Sequence, residues 1–396
     1  MVVTGYPPGY YVTTLPAAAP APTPLRTDIA GFAGRAARGP AGGPVLVRDI
    51  GQFERAFGPT QAGRLGRAVR GYFDNGGELA YALRLPDTVD PEEAYQRVHA
   101  LLDTPEVALL VLPDLWDDLA EAAADTAGLA RAADTAAGLA RAADQRLDRM
   151  LILDLPYAAS RSAAQAADAL RRLDAAAGPE ARAVAVYHPW ITVEEYPGGQ
   201  DGRLVRTPPS GHVAGLISRL DRERGPARSP ANQALVNAVD LDADLPESGV
   251  PAVPDRRVNP IRCTPGQGLL VWGARTLARG PSGRFIAHRR LLHRLVRAAR
   301  QAGEAMVFEP DGAQLRLALA RAVRTVLLQA YRSGALAGRD DTEAFSVRCD
   351  DTTTLPADAD AGRVVCEAQF TPAFPMEVIR VQLQLAAEGR LEVIEQ

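Results

Sequence analysis

Side chains that could carry out catalysis are few in this sequence, and they are widely spaced. The imidazoles that could shuttle protons or bind a metal ion are His99, His188, His212, His288 and His293. No HExxH motif and no CxxC pair accompanies them, so the sequence gives no support for a zinc site. His288 and His293 are five residues apart on a predicted helix and therefore point to different sides. Surface or partly buried histidines without a metal are the simpler interpretation.

The other potentially reactive groups are equally weak. The tripeptide Ser210-Gly211-His212 is not part of a GxSxG turn after a strand, and a catalytic triad is recognised only from geometry. No GxxxxGK[ST] phosphate loop occurs, and the glycine-rich segments GPAGGP and YPGGQDG contain prolines and do not open helices. The acid pairs Asp117-Asp118 and Asp340-Asp341 fit solvated positions. We therefore expect no catalytic residue, no cofactor and no metal ion.

Length and charge limit the range of architectures and partners. At 396 residues the chain exceeds the size at which a single hydrophobic core stops growing, so two or three domains are expected. Its 44 basic groups, all of them arginine, nearly balance 48 acidic groups. This balance does not favour nucleic acid or an anionic membrane surface as the main partner. The cysteines, Cys263, Cys349 and Cys366, lie in unrelated local contexts and are expected to be reduced thiols.

The N-terminal segment has no basic region followed by an apolar core, which a signal peptide would need. No stretch of the chain approaches the roughly 18 apolar residues of a membrane span. The sequence therefore predicts synthesis and folding in the cytoplasm, with no signal peptide and no direct insertion into a membrane.

The elements that would position these residues change in character along the chain. Residues 1–25 contain six prolines and are predicted to be an extended N-terminal arm. Residues 26–255 alternate helical segments with apolar strands such as VLV, LAYALRL, VALLVLP and MLILDLP, which predicts a sheet between covering helices. We expect an outer part at about residues 87–182. Within it, the alanine-rich sequence at 125–134 is nearly repeated at 134–144, which suggests a duplication that lengthens a surface helix.

The C-terminal third is predicted to be a second α/β domain at residues 256–375. It opens with NPIRCTPGQGLLVWGARTL and continues with two helices and the strands FSVRCD and RVVCEAQF. Residues 376–396 are predicted to be a C-terminal strand or arm, because apolar and polar residues alternate strictly from Ile379 to Leu385. The fold class is therefore mixed α/β (α+β), with several domains and extended arms at both ends.

Several segments, in order, resemble contractile tail sheath proteins. The N-terminal region of that family resembles TGYPPGYYV, TDIAGFAGRAARGPAGGPVLVRDIGQFERAFG and AVRGYFDNGGELAYALRL. Its central segment resembles YHPWITVEEYPGGQDGRLVRTPPSGHVAGLISRLDRERGPARSPANQAL, and its C-terminal domain resembles NPIRCTPGQGLLVWGARTLA, MVFEP, SGALAGRDDTEAFSVRCDDTTT and DADAGRVVCEAQFTPAFPMEVIRVQL. Residues 89–182 carry no motif of the family. The chain length is similar to that of compact sheaths of phage-like bacteriocins and extracellular injection systems.

The resemblance implies a structural protein and not an enzyme. A sheath subunit stacks in six-fold rings around an inner tube as a helical homopolymer, and it contracts by subunit repacking to drive the tube through a target envelope. Its partners would be copies of itself, the inner tube protein, and the baseplate and tail terminator or cap proteins, without nucleic acid. The particle, a phage tail or injection system, would be assembled in the cytoplasm and released by lysis.

The resemblance also implies contacts between subunits. In the family, the N-terminal and C-terminal arms add strands to the sheets of neighbouring subunits. The candidate residues for this pairing are Tyr10, Tyr11, Val12, Thr13, Ile379, Val381 and Leu383. For the C-terminal segment, a strand that pairs only within its own chain is the alternative.

A helix of the C-terminal domain grips the inner tube in this family. Our candidate spans residues 284–301, where Arg290, Arg294 and Arg297 form a basic stripe opposite the apolar face. Such a stripe would suit an acidic tube surface. A solvated arginine face without a partner is the alternative.

Two other functions are compatible with the sequence. The first is an α/β enzyme with its site in the loops of residues 188–260, near His188 or His212. The second is another structural component of a phage tail, although tube proteins are much smaller than this chain. A sheath would form polymers or very large particles, whereas an enzyme would be a monomer or a small oligomer.

Overall fold

The computed structural model contains two packing units built from mixed α and β elements. It describes residues 25–40, 42–85, 96–116, 126–160, 162–195, 202–243, 255–281, 283–304, 313–360, 363–373, 379–385 and 391–395. The strands are β1 (Ala30–Gly34), β2 (Val45–Val47), β3 (Ala80–Arg84), β4 (Leu109–Val111), β5 (Met150–Asp154), β6 (Val184–His188), β7 (Ile191–Glu195), β8 (Arg203–Thr207), β9 (Gln233–Ala234), β10 (Asp240–Leu241), β11 (Asn259–Thr264), β12 (Gly268–Val271), β13 (Phe345–Arg348), β14 (Val364–Phe370), β15 (Ile379–Leu385) and β16 (Leu391–Glu395). The helices are α1 (Ile50–Phe57), α2 (Arg64–Asp74), α3 (His99–Asp103), α4 (Thr126–Arg146), α5 (Ala163–Ala177), α6 (Ser210–Arg224), α7 (Ile286–Glu304), α8 (Ala313–Arg332), α9 (Asp341–Ala344) and α10 (Pro356–Asp360).

A nine-stranded sheet forms the larger unit, in the order β2-β3-β1-β4-β5-β6-β11-β12-β9. The strands from β3 to β11 in this order are parallel to their neighbours, and β2, β12 and β9 are antiparallel additions at the ends. Helices α1, α2 and α6 cover one face and α3, α4 and α5 cover the other. The adjacent residues Leu109 and Leu110 of β4 belong to opposite cores. This two-sided burial explains the continuous apolar segments VALLVLP and MLILDLP and confirms the predicted α/β class.

Two predicted domain boundaries differ from this topology. Residues 87–182, predicted as an outer part, supply β4 and β5 at the centre of the large sheet. The predicted C-terminal domain begins at residue 256, but β11 and β12 also belong to the large sheet. The second packing unit begins instead with α7. Sequence patterns missed this because a short β-hairpin and a separate domain begin with similar turn and strand signals.

The C-terminal packing unit consists of α7, α8 and a four-stranded antiparallel sheet in the order β13-β14-β15-β16. The apolar faces of the two helices meet, with Leu292 of α7 and Leu319 of α8 in one core, and Phe370 of β14 belongs to the same core. A separate three-stranded sheet has the order β10-β7-β8. Both long helices and the strands around the two cysteines of this unit were predicted from hydrophobic periodicity.

The duplicated alanine-rich sequence forms one continuous helix, α4. Leu129 and Leu139 occupy equivalent positions in the two copies, and both are buried in the core on one face of the large sheet. Ala133 and Ala143 are also equivalent and buried. Both copies therefore contribute side chains to the core, while Arg131 and Arg141 on the other side of the helix are exposed.

Helices α2 and α6 approach so closely that only glycine fits at their contact. A Cβ atom on Gly211 would lie 2.4 Å from the carbonyl oxygen of Ala68, and one on Gly215 would lie 2.2 Å from that of Tyr72. On α2, a Cβ atom on Gly71 would lie 2.3 Å from the ring of His212. The helix backbones therefore pack directly against each other. The segment SGHVAG is a packing motif.

We predict that Gly215→Ala lowers the free energy of unfolding by about 1–3 kcal/mol, because the new methyl group overlaps backbone atoms that cannot rotate away. Gly138→Ala is the matched control in the interior of α4, where the nearest atom to an added Cβ is 4.0 Å away. That change should be neutral or stabilising by up to about 1 kcal/mol. Urea denaturation measures both values, and equal effects would contradict the close contact of α2 and α6.

Candidate interaction surfaces

Helix α7, the predicted tube-binding element, lies between the two packing units. Its leucines belong to the core of the C-terminal unit. Its arginines face the amino-terminal edge of the large sheet, where Arg290 is 1% exposed and Arg297 is 9% exposed. Both sides of the helix are therefore covered by protein.

The guanidinium groups of α7 bind backbone carbonyls that precede three neighbouring strands, β1, β4 and β5. Arg290 donates to the carbonyl oxygens of Thr27 and Ala108 and to the carboxylate of Asp221. Arg297 donates to the carbonyl oxygens of Arg26 at 3.2 Å, Glu106 at 3.3 Å, Val107 at 2.6 Å and Asp148 at 3.2 Å. A guanidinium carries five N–H donors, so one side chain satisfies several carbonyls that lack a partner in the sheet. The arginines thus cap the amino-terminal edge of the sheet.

Buried carboxylates balance much of this positive charge. Burial raises the pKa of Asp221 above its usual value, and the adjacent guanidinium of Arg290 offsets this rise only in part. For Asp148 the outcome is a lowered pKa, because hydrogen bonds and charges from Arg149, Arg297 and Arg300 outweigh desolvation. Burial lowers the pKa of Arg297 itself to about 10, so it remains charged at neutral pH. Removing one member of such a buried set leaves its partners without compensation.

This arrangement corrects the predicted basic stripe. Arg290 and Arg297 do not form an exposed surface, because their guanidinium groups are used within the chain. Arg294 is half-buried, and its contact with a tube stays a prediction. The sequence pattern placed the arginines correctly on the side opposite the leucines. The pattern could not show that the carbonyl groups before β1, β4 and β5 cover that side.

An exposed basic face lies instead on the neighbouring helix α8. Leu319, Val323 and Leu327 of this helix are buried. On the opposite side, Leu317, Arg321, Arg324 and Arg332 are exposed. Arg324 forms an ion pair of 2.9 Å with Asp341. The same helical spacing that identified the apolar residues of α8 could have identified this face from the sequence.

The C-terminal candidate strand, β15, pairs on both sides within its own chain. Its neighbours are β14 and β16, with Val381 opposite Ala368 and Leu383 opposite Cys366 in the first pairing. The edges of this sheet are therefore β13 and β16. Pairing of Ile379, Val381 and Leu383 with a neighbouring subunit stays a prediction. The N-terminal candidates Tyr10, Tyr11, Val12 and Thr13 lie outside the described residues.

The same architecture occurs in solved structures of contractile particles. A chain of the anti-feeding prophage baseplate in its contracted state is 26% identical, with a TM-score of 0.73, over 93% of this chain and 95% of that one. A chain of the anti-feeding prophage helical sheath in the contracted state is 24% identical, with a TM-score of 0.70, over 93% of this chain and 96% of that one. The chain has the tail sheath fold. No family model and no curated protein sequence matches it.

A more distant structural match is a sheath tail protein. The crystal structure of a sheath tail protein from Desulfitobacterium hafniense is 11% identical, with a TM-score of 0.62, over 96% of this chain and 100% of that one. At this identity the match concerns the fold alone. It shows that the tail sheath fold persists while most of the side chains change.

In this tail sheath fold, side chains fill the carboxyl-terminal edge of the large sheet, which is where doubly wound folds commonly hold ligands. Asp154 at the end of β5 accepts a hydrogen bond of 2.9 Å from the backbone N–H of Ser210. Burial raises the pKa of Asp154 to about 7. The indole N–H of Trp116 donates to the carbonyl oxygen of Asp154 at 2.7 Å, and that of Trp190 donates to Leu155 at 2.8 Å. These contacts join β5 to α6 and to the adjacent loops.

The histidines considered for the enzyme alternative are packed side chains. Burial lowers the pKa of both His188 and His212 to about 4, so both are neutral at pH 7. On α7, His288 and His293 are also buried. Within the described part of the chain, no group of His, Cys, Asp and Glu is arranged to hold a metal ion. No helix in those same ranges is long and apolar enough to cross a membrane.

The paired acids do not form a site either. Asp340 caps α9 by accepting hydrogen bonds from the backbone N–H groups of Thr342 and Glu343. Its neighbour Asp341 pairs with α8. Asp117 and Asp118 lie outside the described residues. Asp340 therefore stabilises the start of α9, and Asp341 stabilises the contact between α9 and α8.

We predict that Arg290→Gln destabilises the subunit by about 3–5 kcal/mol, because it leaves the buried carboxylate of Asp221 and the carbonyl of Thr27 without their guanidinium donor. Arg294→Gln on the same helix is the matched control and should change stability by less than about 1 kcal/mol. Urea unfolding followed by circular dichroism measures the difference. A similar, small effect of both substitutions would mean that α7 does not hold the two units together.

Proposed function

We propose that this chain is the sheath subunit of a contractile, phage-tail-like injection machine. The observation that carries the proposal is the match to chains of anti-feeding prophage particles over nine tenths of both lengths. Such coverage includes both packing units, so the likeness is not limited to one common α/β core. In this role the subunit assembles with copies of itself into six-fold rings around an inner tube, and it contacts baseplate and cap proteins. The particle would be assembled in the cytoplasm and released by lysis.

The contacts of α7 favour contraction by movement between subunits and not within them. Separating the two packing units would expose Arg290 and Arg297 together with the carbonyls that they bind, at a cost of several kcal/mol for each charged group left unpaired. Contacts between exposed faces and strand edges are cheaper to exchange. A contracting sheath would therefore repack rigid subunits while the extended arms keep neighbours connected.

The experiment that tests this proposal is electron microscopy of the purified full-length protein together with a variant that lacks residues 1–20. The full-length protein should form long hollow polymers. The truncated protein should remain soluble and folded but should not form long sheaths, because its arm no longer pairs with neighbouring sheets.

Circular dichroism of the truncated protein is the control for folding. A full-length protein that stays monomeric at high concentration and in the presence of its tube protein would contradict the sheath function. Long ordered polymers from the truncated protein would contradict only the role of the N-terminal arm.

We further propose that the exposed face of α8 contacts the inner tube, in place of the stripe on α7. Arg321 and Arg332 are exposed on one side of this helix, and Leu317 is exposed on the same side. An acidic tube surface would complement this charge. Each exposed ion pair contributes only about 0.2–1 kcal/mol, so single contacts break easily, while repetition along the tube gives a firm hold.

We expect the double variant Arg321→Glu/Arg332→Glu to fold normally but to yield sheaths that lose their tube at lower salt concentrations than the wild type. The matched control is Arg131→Glu/Arg141→Glu, which reverses two exposed arginines on α4. Electron micrographs of particles assembled with the tube protein count filled and empty sheaths. If both double variants retain tubes as the wild type does, α8 is not the tube contact.

A further inference from the structure

Two cysteines, Cys349 and Cys366, lie beside each other where β13 ends next to β14 in the C-terminal sheet. Strands β13 and β14 are antiparallel, with Phe345 opposite Phe370 and Arg348 opposite Glu367. Cys349 follows the last residue of β13, and continuing the register by one residue brings it opposite Cys366 of β14. A side-chain hydrogen bond between the two cysteines shows that their sulfur atoms lie close together. Directly opposite residues of antiparallel strands have Cα atoms about 4.5–5.5 Å apart, which falls within the range of about 4.4–6.8 Å that a disulfide requires.

The turn that connects the two strands is held in this register by its own hydrogen bonds. The hydroxyl of Thr353 donates to the carbonyl oxygen of Val365 at 2.8 Å, and the backbone N–H of Val365 donates to the hydroxyl of Thr354 at 3.1 Å. Val365 is adjacent to Cys366. The register beside the cysteines is therefore fixed by side-chain contacts as well as by the strand ladder.

The two thiols differ in their access to solvent. Cys366 is fully buried, whereas Cys349 is half-buried. A hydrogen bond with Cys349, together with burial, raises the pKa of Cys366. The more accessible Cys349 is therefore the sulfur that an external oxidant would meet first. The third cysteine, Cys263, is exposed on β11 in the other packing unit.

We propose that Cys349 and Cys366 are an oxidisable pair that forms an intrachain disulfide when the protein meets a low-molecular-weight disulfide such as oxidised glutathione. The thiolate of Cys349 attacks one sulfur of the oxidant and displaces one glutathione thiolate. Cys366 then loses its proton and attacks the Cys349 sulfur of the mixed disulfide, which displaces the second glutathione thiolate. The two cysteines lose two electrons, and one oxidised glutathione becomes two reduced molecules.

The proposed disulfide would add a covalent link between the end of β13 and the adjacent strand β14. None of the three cysteines forms a disulfide in the structure. Oxidation would link Cys349, the residue after β13, to Cys366 of β14. Strand β14 also pairs with β15 on its other side. The disulfide would thereby stabilise β14, with which the C-terminal strand β15 pairs, after the protein leaves a reducing environment. This inference concerns the folded chain itself and does not depend on its function as a sheath.

The test is a tryptic peptide map of the native full-length protein after treatment with oxidised glutathione, without reduction. Trypsin cleaves after Arg348, Arg363 and Arg380, so the two cysteines fall on separate peptides, 349–363 and 364–380. We expect the major product to be these two peptides joined by a disulfide, and dithiothreitol should separate them. Cys263 should carry glutathione in the same sample, which shows that the oxidant was active.

The outcome that overturns the proposal is recovery of Cys349 and Cys366 as free thiols or as separate glutathione adducts while Cys263 is fully modified. The variant Cys349→Ala serves as a control that does not alter the fully buried position. In it, no linked peptide should form. The oxidised wild type should also melt a few degrees higher than the reduced protein, a difference that Cys349→Ala should abolish and Cys263→Ala should retain.

Discussion

The hydrogen bonds from the arginines of α7 to the amino-terminal edge of the large sheet are the interaction on which the rest of the subunit depends. Parallel strands that enter a sheet side by side leave carbonyl groups that have no ladder partner. Here these carbonyls are buried, because the C-terminal unit covers that edge. Arg290 and Arg297 supply the missing donors, and the carboxylate of Asp221 shares the charge. The buried guanidinium groups are tolerated because most of their nitrogen atoms donate to an acceptor, Nε of Arg290 being an exception.

This cap links the two packing units. Leucines on one side of α7 belong to the C-terminal core, while arginines on its other side bind the large sheet. Relative rotation of the units would have to break the arginine contacts with the large sheet. Contacts with other subunits can be exchanged at a lower free-energy cost on the exposed surfaces. These surfaces include the exposed face of α8 and the edge strands β13 and β16. Under the proposed sheath function, this division would keep the interior of each subunit fixed while its exposed edges exchange contacts with neighbouring subunits.

Sequence periodicity predicted the strands and helices well because they are defined by local patterns of burial. The segments VALLVLP and MLILDLP lie between two helical layers, and α7 and α8 have the apolar faces that were expected. Contacts between distant segments could not be predicted in this way. The helical pattern of Arg290 and Arg297 is the same whether water, a tube or a sheet edge lies opposite. The disulfide proposed for Cys349 and Cys366 likewise depends on the register between β13 and β14. The residue pattern within each strand does not determine that register.

The chain contains no lysine, but this bias in composition does not explain where the arginines lie. A lysine ammonium carries three donors around a single atom and is strongly hydrated, so it could not reach four carbonyls spread over the residues that precede three strands. The planar guanidinium of Arg297 does reach them, and it does so while burial still leaves it charged at neutral pH. Composition bias supplied arginine throughout the chain, and the geometry of the sheet edge determines which arginines are needed. Exposed residues such as Arg131 could be replaced by lysine without loss of a contact of this kind, whereas Arg290 and Arg297 could not.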